Sequence, residues 1–485
     1  MTPLDINLYL FVLVVVIFAV IGFSAARREH SVKSYFHHES LSKNVVSLSA
    51  TNITLGTGLI YLVTGAQHNG LLMLLIPVMV FLGYYLQAIF LEKATAVTVR
   101  SGKNFLASLD EEITLLTGVK SSFSSVVSGS LVVVFVLVLA FEIFASSKVI
   151  APFLFKTPNV NAEIILSTVI FIITVLYTII GGINATFKVD FIQVPLICIF
   201  LPVFIITTVP HLDHPALIIE KMRSTIKLGG PVLAAVAIAS IGAISTQFYS
   251  ILNWGAVSNV EVSNQQRLLK WVGGLSAVIL AVFVTVGLLH PIGPGGQVWL
   301  DITETYSRLA SQQNFSSYLL CGILLLGMAS ILLTTTDAVV ITSIMFYYDN
   351  LAKGDSKNLA NNPSELKRIR RIGAITFILC FALLMIINYW QPDPFYLLIS
   401  MAGGVVVFAP MIVTAGFLSS RKNGLRIFTP SVVYAYFGLF LLAGAVNVFL
   451  LVKKSSLVGY IGVAAFSLSL VYSLLILLRV SKWRE

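Results

Sequence analysis

The sequence predicts an all-α polytopic membrane protein with about thirteen transmembrane helices. Three observations carry that expectation. Of 485 residues, 57% are hydrophobic and only 11% are charged, where a soluble domain carries about 25%; mean hydropathy is +0.93. A chain so poor in charge lacks the polar groups to cover its own surface, which excludes a soluble enzyme and makes lipid the natural solvent. Long apolar runs then recur along the whole chain, and the basic residues sort to one side of them.

The runs lie at 6–26, 45–67, 70–92, 124–147, 161–182, 189–209, 232–256, 268–290, 315–347, 371–390, 395–420, 428–452 and 457–480. The polar stretches between them, longest at 93–121 and 350–371, are too short for a soluble domain. An odd number of spans puts the termini on opposite sides. With the N-terminus outside, roughly three-quarters of the Lys and Arg fall in inner loops. The chain is therefore expected to be multi-pass in the plasma membrane (the inner membrane of a bacterial cell), with a cytoplasmic C-terminus. The net charge of +10 then reflects those loops, and no nucleic-acid partner is expected. Cys198, Cys321 and Cys380 lie in apolar segments and form no disulfide or ligand pattern. Residues 290–296 form a turn-rich exit from the eighth span, and 297–313 fit a short amphipathic segment over the outer mouth.

Polar residues inside spans are costly, so their positions carry information. Span two contains Ser47-Leu-Ser-Ala-Thr-Asn-Ile-Thr-Leu-Gly-Thr-Gly58, the composition of a broken helix whose freed carbonyls can bind a cation. A tight helix contact lined by small residues has the same composition. Ile241-Gly-Ala-Ile-Ser-Thr-Gln-Phe-Tyr249 in span seven has the same character, five spans later. Interrupted spans in corresponding positions of two five-span halves mark an inverted-repeat transporter. The expected division is 1–44 as a first helix and inner loop, 45–210 and 211–420 as two repeats, and 421–485 as two peripheral helices.

Span nine holds Thr334, Thr335, Thr336 and Asp337. Adjacent hydroxyls are hard neutral ligands suited to sodium; alternatively, the threonines bond back to their own helix. Gly181-Gly-Ile-Asn-Ala-Thr-Phe-Lys-Val-Asp-Phe-Ile-Gln193 joins spans five and six, with Asp190 and Gln193 one turn apart; an interfacial cap fits these two equally well. Glu142 lies about one turn from the outer end of span four, within reach of water. Two histidine pairs, His37-His38 and His211 with His214, lack a third ligand and make no metal site.

These pieces together resemble the sodium:solute symporter family, which includes sodium-coupled sugar, proline, pantothenate and sialic acid carriers. Gly181, Gly182, Ala185, Asp190 and Gln193 match the family's signature, with Val189 where Thr is usual. Thr334-Thr-Thr-Asp-Ala-Val-Val-Ile341 and Tyr35-Phe36 followed by Ser49–Thr54 add to the match, and Trp254 stands near a position where members often carry Arg. The resemblance implies a leucine-transporter-like 5+5 inverted repeat and sodium-driven alternating access. It implies a sodium site made by the carbonyls of Ala50, Ile53 and Ile331 with the hydroxyls of Thr334 and Thr335. It also implies a second cation site at Asp190 with Thr334 and Asp337, where two acids could instead share a proton. Position and resemblance give Asn52, Thr57, Ser245, Gln247 and Ser400 as candidate substrate-binding residues.

The expected function is sodium-coupled symport of a small polar solute, with sodium as the coupling ion. The alternatives are proton coupling through Asp190 and Asp337, or a transporter-like sensor needing a separate signalling partner. No nucleophile–base pair, metal cluster or phosphate loop suggests an enzyme.

Overall fold

The computed structural model describes residues 3–26, 32–36, 40–101, 105–120, 122–155, 159–208, 230–289, 309, 312, 314–352, 354, 363–392, 394–419, 421, 424–453, 455 and 457–481. Among them every regular element is helical. Eleven helical stretches are long and apolar enough to cross a membrane, so this is a multi-pass membrane protein. The turn at 290–296, the segment 297–313 apart from Leu309 and Gln312, and both histidine pairs lie outside the described residues.

Eleven continuous stretches stand where thirteen spans are expected, for two physical reasons. After α1 (Pro3–Ala26) and the short α2 (Val32–Phe36), span two is not one helix. It is α3 (Leu41–Thr51), a π-helical turn over Leu55–Ile60, and α4 (Tyr61–Asn69). No one of these pieces reaches the roughly 20 residues that a bilayer core requires. Thr54 is extended (φ −85°, ψ 149°), which separates the two halves.

After α5 (Leu75–Ser101), α6 (Phe105–Thr117) and α7 (Phe123–Leu154), spans five and six run together as α8 (Val160–Thr208). Its 49 residues hold two crossings, divided at Gly182 (φ 59°, ψ −155°). That conformation suits glycine alone. A side chain there is also excluded by space, because a Cβ would lie 2.5 Å from the Tyr35 carbonyl oxygen. Tyr35 in turn donates its hydroxyl to the Ile179 carbonyl at 2.6 Å, fixing α2 against the bend.

Span seven is also broken, into α9 (Gly230–Tyr249) and α10 (Ile251–Ser258), at an extended Ser250 (φ −61°, ψ 114°). There follow α11 (Val262–Leu289), α12 (Phe315–Phe346), α13 (Pro363–Trp390), α14 (Pro394–Val405), α15 (Phe408–Ser419), α16 (Pro430–Val452) and α17 (Val458–Ser481). The α12 span is central, buried along most of its length and packed on α8, α7 and α1, whereas α16 buries few of its residues and lies at the periphery. A helix apolar all round must be buried in protein or in lipid, and the two differ in which covers them.

Candidate functional site

The breaks in spans two and seven face one another through a chain of buried side chains. Asn52 donates to the Tyr84 hydroxyl at 2.6 Å, and that hydroxyl donates to Asn253 Oδ1 at 3.0 Å. Asn253 Nδ2 then donates to Gln247 Oε1 at 2.7 Å and to Gln87 Oε1 at 3.3 Å. Buried amides need such partners, so the chain fixes the two breaks relative to each other.

Beside this chain lies a cavity of about 270 Å³. Its polar lining is Thr51, Asn52, Thr54, Thr246, Gln247, Ser250 and Thr335, and Tyr61, Val80, Phe135, Ile238 and Leu398 are among its less polar lining. Among the described residues no charged side chain lines it. A second, smaller cavity of about 60 Å³ is lined by Ser47, Asn44, Thr186, Asn259 and Thr342 among others. Thr51 and Leu252 line both cavities and form the division between them.

The three threonines of α12 divide by role. Thr336 bonds back to the Leu332 carbonyl at 2.7 Å. Thr335 bonds back to Ile331 O at 3.0 Å and reaches Thr51 O, at the end of α3, at 3.4 Å. Thr334 instead crosses to α8, donating to Gln193 Oε1 at 2.5 Å. The oxygens of Thr335, Ile331 and Thr51 thus gather where α3 ends. They are neutral hard ligands of the kind an alkali cation takes, and this donor set fits sodium. Ala50 O accepts from Ile53 N at 3.0 Å, closing the last turn of α3 at this point.

Behind Thr334 sits a cluster of acids. Asp190 accepts from Ser47 Oγ at 2.6 Å, and Asp337 accepts from the Tyr177 hydroxyl at 2.8 Å. Both acids are buried, and each keeps one carboxylate oxygen without a hydrogen-bond partner. Asp337 lies within electrostatic reach of Asp190. No Lys or Arg among the described residues pairs with either. Asp190 and Gln193 are therefore not interfacial caps: both are buried at 4% exposure or less, because the bend at Gly182 carries this part of α8 against α12.

Of the candidate substrate-binding residues, Asn52 and Gln247 line the larger cavity, whereas Ser245 and Ser400 are buried outside its wall. The Thr57 side chain lies outside what is described. Glu142 does not reach water. It is fully buried, and Oε1 accepts the Gly56 N–H, in the π-helical turn, at 2.6 Å. The sequence held one sign of this, an acid within an apolar run, but only the fold brings α7 against the turn. Tyr84, Gln87 and Asn253 carried no such sign, since single amides and tyrosines are common in spans.

The fold is that of a Na+-coupled sialic acid symporter. That protein was solved in a substrate-bound outward-open state that reveals a novel Na+ site. The TM-score is 0.68, with 97% of this chain and 98% of that one covered at 13% sequence identity. No family model matches the sequence, and no curated protein does.

Proposed function

We propose that this protein is a secondary active transporter of the sodium:solute symporter type, coupling sodium to uptake of a small solute by alternating access. One observation carries the reading: the Thr335 hydroxyl and the Thr51 and Ile331 carbonyls gather as neutral oxygens at the helix break, beside the larger cavity. A sodium ion there would tie α3 to α12. Ile53 and Ala50 complete the proposed site, and Thr334 joins it on turning from Gln193, to which its hydroxyl donates here. The shared fold with a Na+-coupled symporter supports the reading.

The two cavities on either side of Thr51 and Leu252 are the proposed routes to alternate faces. In this reading residues 45–210 and 211–420 move as the two repeats, and the N-terminus faces outside. The solute is uncharged, with hydroxyl or amide groups and an apolar part to match a lining of both kinds. A charged solute would find no opposite charge in the cavity wall to repay its desolvation. Asn52 and Gln247 are the proposed solute contacts.

Asp190 and Asp337 form a proposed second cation site. Two buried carboxylates without a basic partner are stable only with a bound cation or a proton. The same observation favours the second reading, proton coupling through this pair.

The test is uptake into proteoliposomes of a panel of labelled sugars, amino acids, vitamins and nucleobases, with sodium or proton gradients imposed separately. Sodium-driven uptake by the wild type, lost in Thr334→Ala plus Thr335→Ala, is expected. Uptake driven equally by protons, or untouched by the double substitution, would overturn the sodium assignment.

A further inference from the structure

One surface feature lies apart from the transport path, at the first turns of α11. Ser263, Gln266, Arg267, Lys270 and Trp271 line an open recess of about 380 Å³. Their spacing puts all five on one face of the helix, and the opposite face, at Leu268, Leu269, Val272 and Gly273, is buried. Arg267 and Lys270 are exposed, and neither forms an ion pair with a carboxylate. No acid lines the recess; Glu261 precedes the helix and stands outside it.

Below these cations the same face turns apolar. Trp271, Leu275 and Val278 are 61%, 45% and 63% exposed. The neighbouring helix α5 presents Tyr85, Phe81 and Val78, all exposed, with Phe81 and Tyr85 stacked at 6.4 Å. Lys270 Nζ lies 5.9 Å from the centre of the Tyr85 ring, joining the two helices at the basic end. The helices approach this closely because Gly273 faces Tyr84, where a Cβ would come within 2.6 Å of the tyrosine's own Cβ. Along these adjoining exposed faces come first two cations without a carboxylate partner, then a tryptophan, then apolar side chains. That order matches a phospholipid from phosphate through glycerol to acyl chain.

We propose that the adjoining exposed faces of α5 and α11 bind an anionic phospholipid, its phosphate held by Arg267 and Lys270 and its acyl chain lying along Phe81, Leu275 and Val278. The ligand chemistry is a phosphate monoanion with an attached hydrocarbon. On the orientation that the basic loops favour, this end of α11 meets the cytoplasmic leaflet, where anionic lipids carry the negative surface potential. The inference does not depend on which ion or solute the protein carries.

Native mass spectrometry of the full-length protein, titrated with phosphatidylglycerol or phosphatidylcholine, tests it. The wild type should retain phosphatidylglycerol in preference. Arg267→Gln plus Lys270→Gln should weaken that binding about thirtyfold, while Arg267→Lys plus Lys270→Arg keeps it. Lys367→Gln plus Arg371→Gln removes two exposed cations from α13 and should leave binding intact. Equal retention of both lipids, or equal losses from the α11 and α13 pairs, would overturn the assignment. Glycerol phosphate in solution separates the sources: if it binds as tightly as the lipid, the hydrocarbon plays no part and the site is not a lipid site.

Discussion

Thr334 and Thr335 are neighbours on α12, about 100° apart around its axis, yet they face two unlike surroundings. Thr334 turns to the acid cluster of Asp190, Gln193, Asp337 and Tyr177. Thr335 turns to the helix break and to a cavity without a charged side chain. In one region two carboxyl groups are buried without a basic partner; in the other, hydroxyls, amides and apolar side chains share a cavity lining. The difference teaches how one helix can present buried carboxylates on one side and a neutral, oxygen-lined helix break on the other. The buried carboxylates are confined behind Thr334, so among the described residues the cavity lining stays without a charged side chain.

The largest effect should come from removing the bend on which both regions depend. Gly182→Ala places a Cβ against the Tyr35 carbonyl at a positive φ. It should cost about 3 kcal/mol or more, read as a lower melting temperature of the purified protein and poor yield. A variant as stable as the wild type would mean that the bend does not need glycine. Next in size, Asp190→Asn should raise the sodium concentration for half-maximal uptake by roughly 10- to 100-fold, while solute competition stays as it was. If solute affinity moves as much as sodium affinity, the two regions are not separate.

Tyr84→Phe should act in the opposite sense. It removes the hydroxyl linking Asn52 to Asn253 and so loosens the two helix breaks. A loss of about 1 kcal/mol predicts a solute KM several-fold higher, with sodium half-saturation unchanged; an unaltered KM would show that the amide chain does not shape the cavity. The smallest effect belongs to Thr336→Val, because that hydroxyl bonds only to its own helix. Its uptake should stay within about threefold of the wild type, and a loss equal to that of Thr335→Ala would erase the division of roles along α12.

Much of this was readable from residue type alone. Low charge, recurring apolar runs and the partition of Lys and Arg determined a polytopic membrane protein, because lipid leaves a backbone few other choices. Clustered Ser, Thr, Asn and Gly at 47–58 and 241–249 marked the breaks in spans two and seven, because such residues compete with the helix for its hydrogen bonds; the interruption of span eleven between Val405 and Phe408 carried no such mark. Tandem threonines beside an aspartate marked α12 for another reason, because hydroxyl oxygens are hard neutral ligands.

What the sequence left open was pairwise. It offered Asp190 as an ion ligand or a surface cap, and Glu142 as water-reaching; both are buried, against α12 and against the Gly56 turn. It could not separate Thr334 from Thr335 and Thr336, nor Gln247 on the cavity wall from Ser245 off it. Hydropathy reports how far a residue sits from water, whereas a bound ion or solute depends on which oxygens from distant spans converge within a few ångströms. That convergence was decided here by the bend at Gly182 and the breaks at Thr54 and Ser250, which only the packed helices bring to one place.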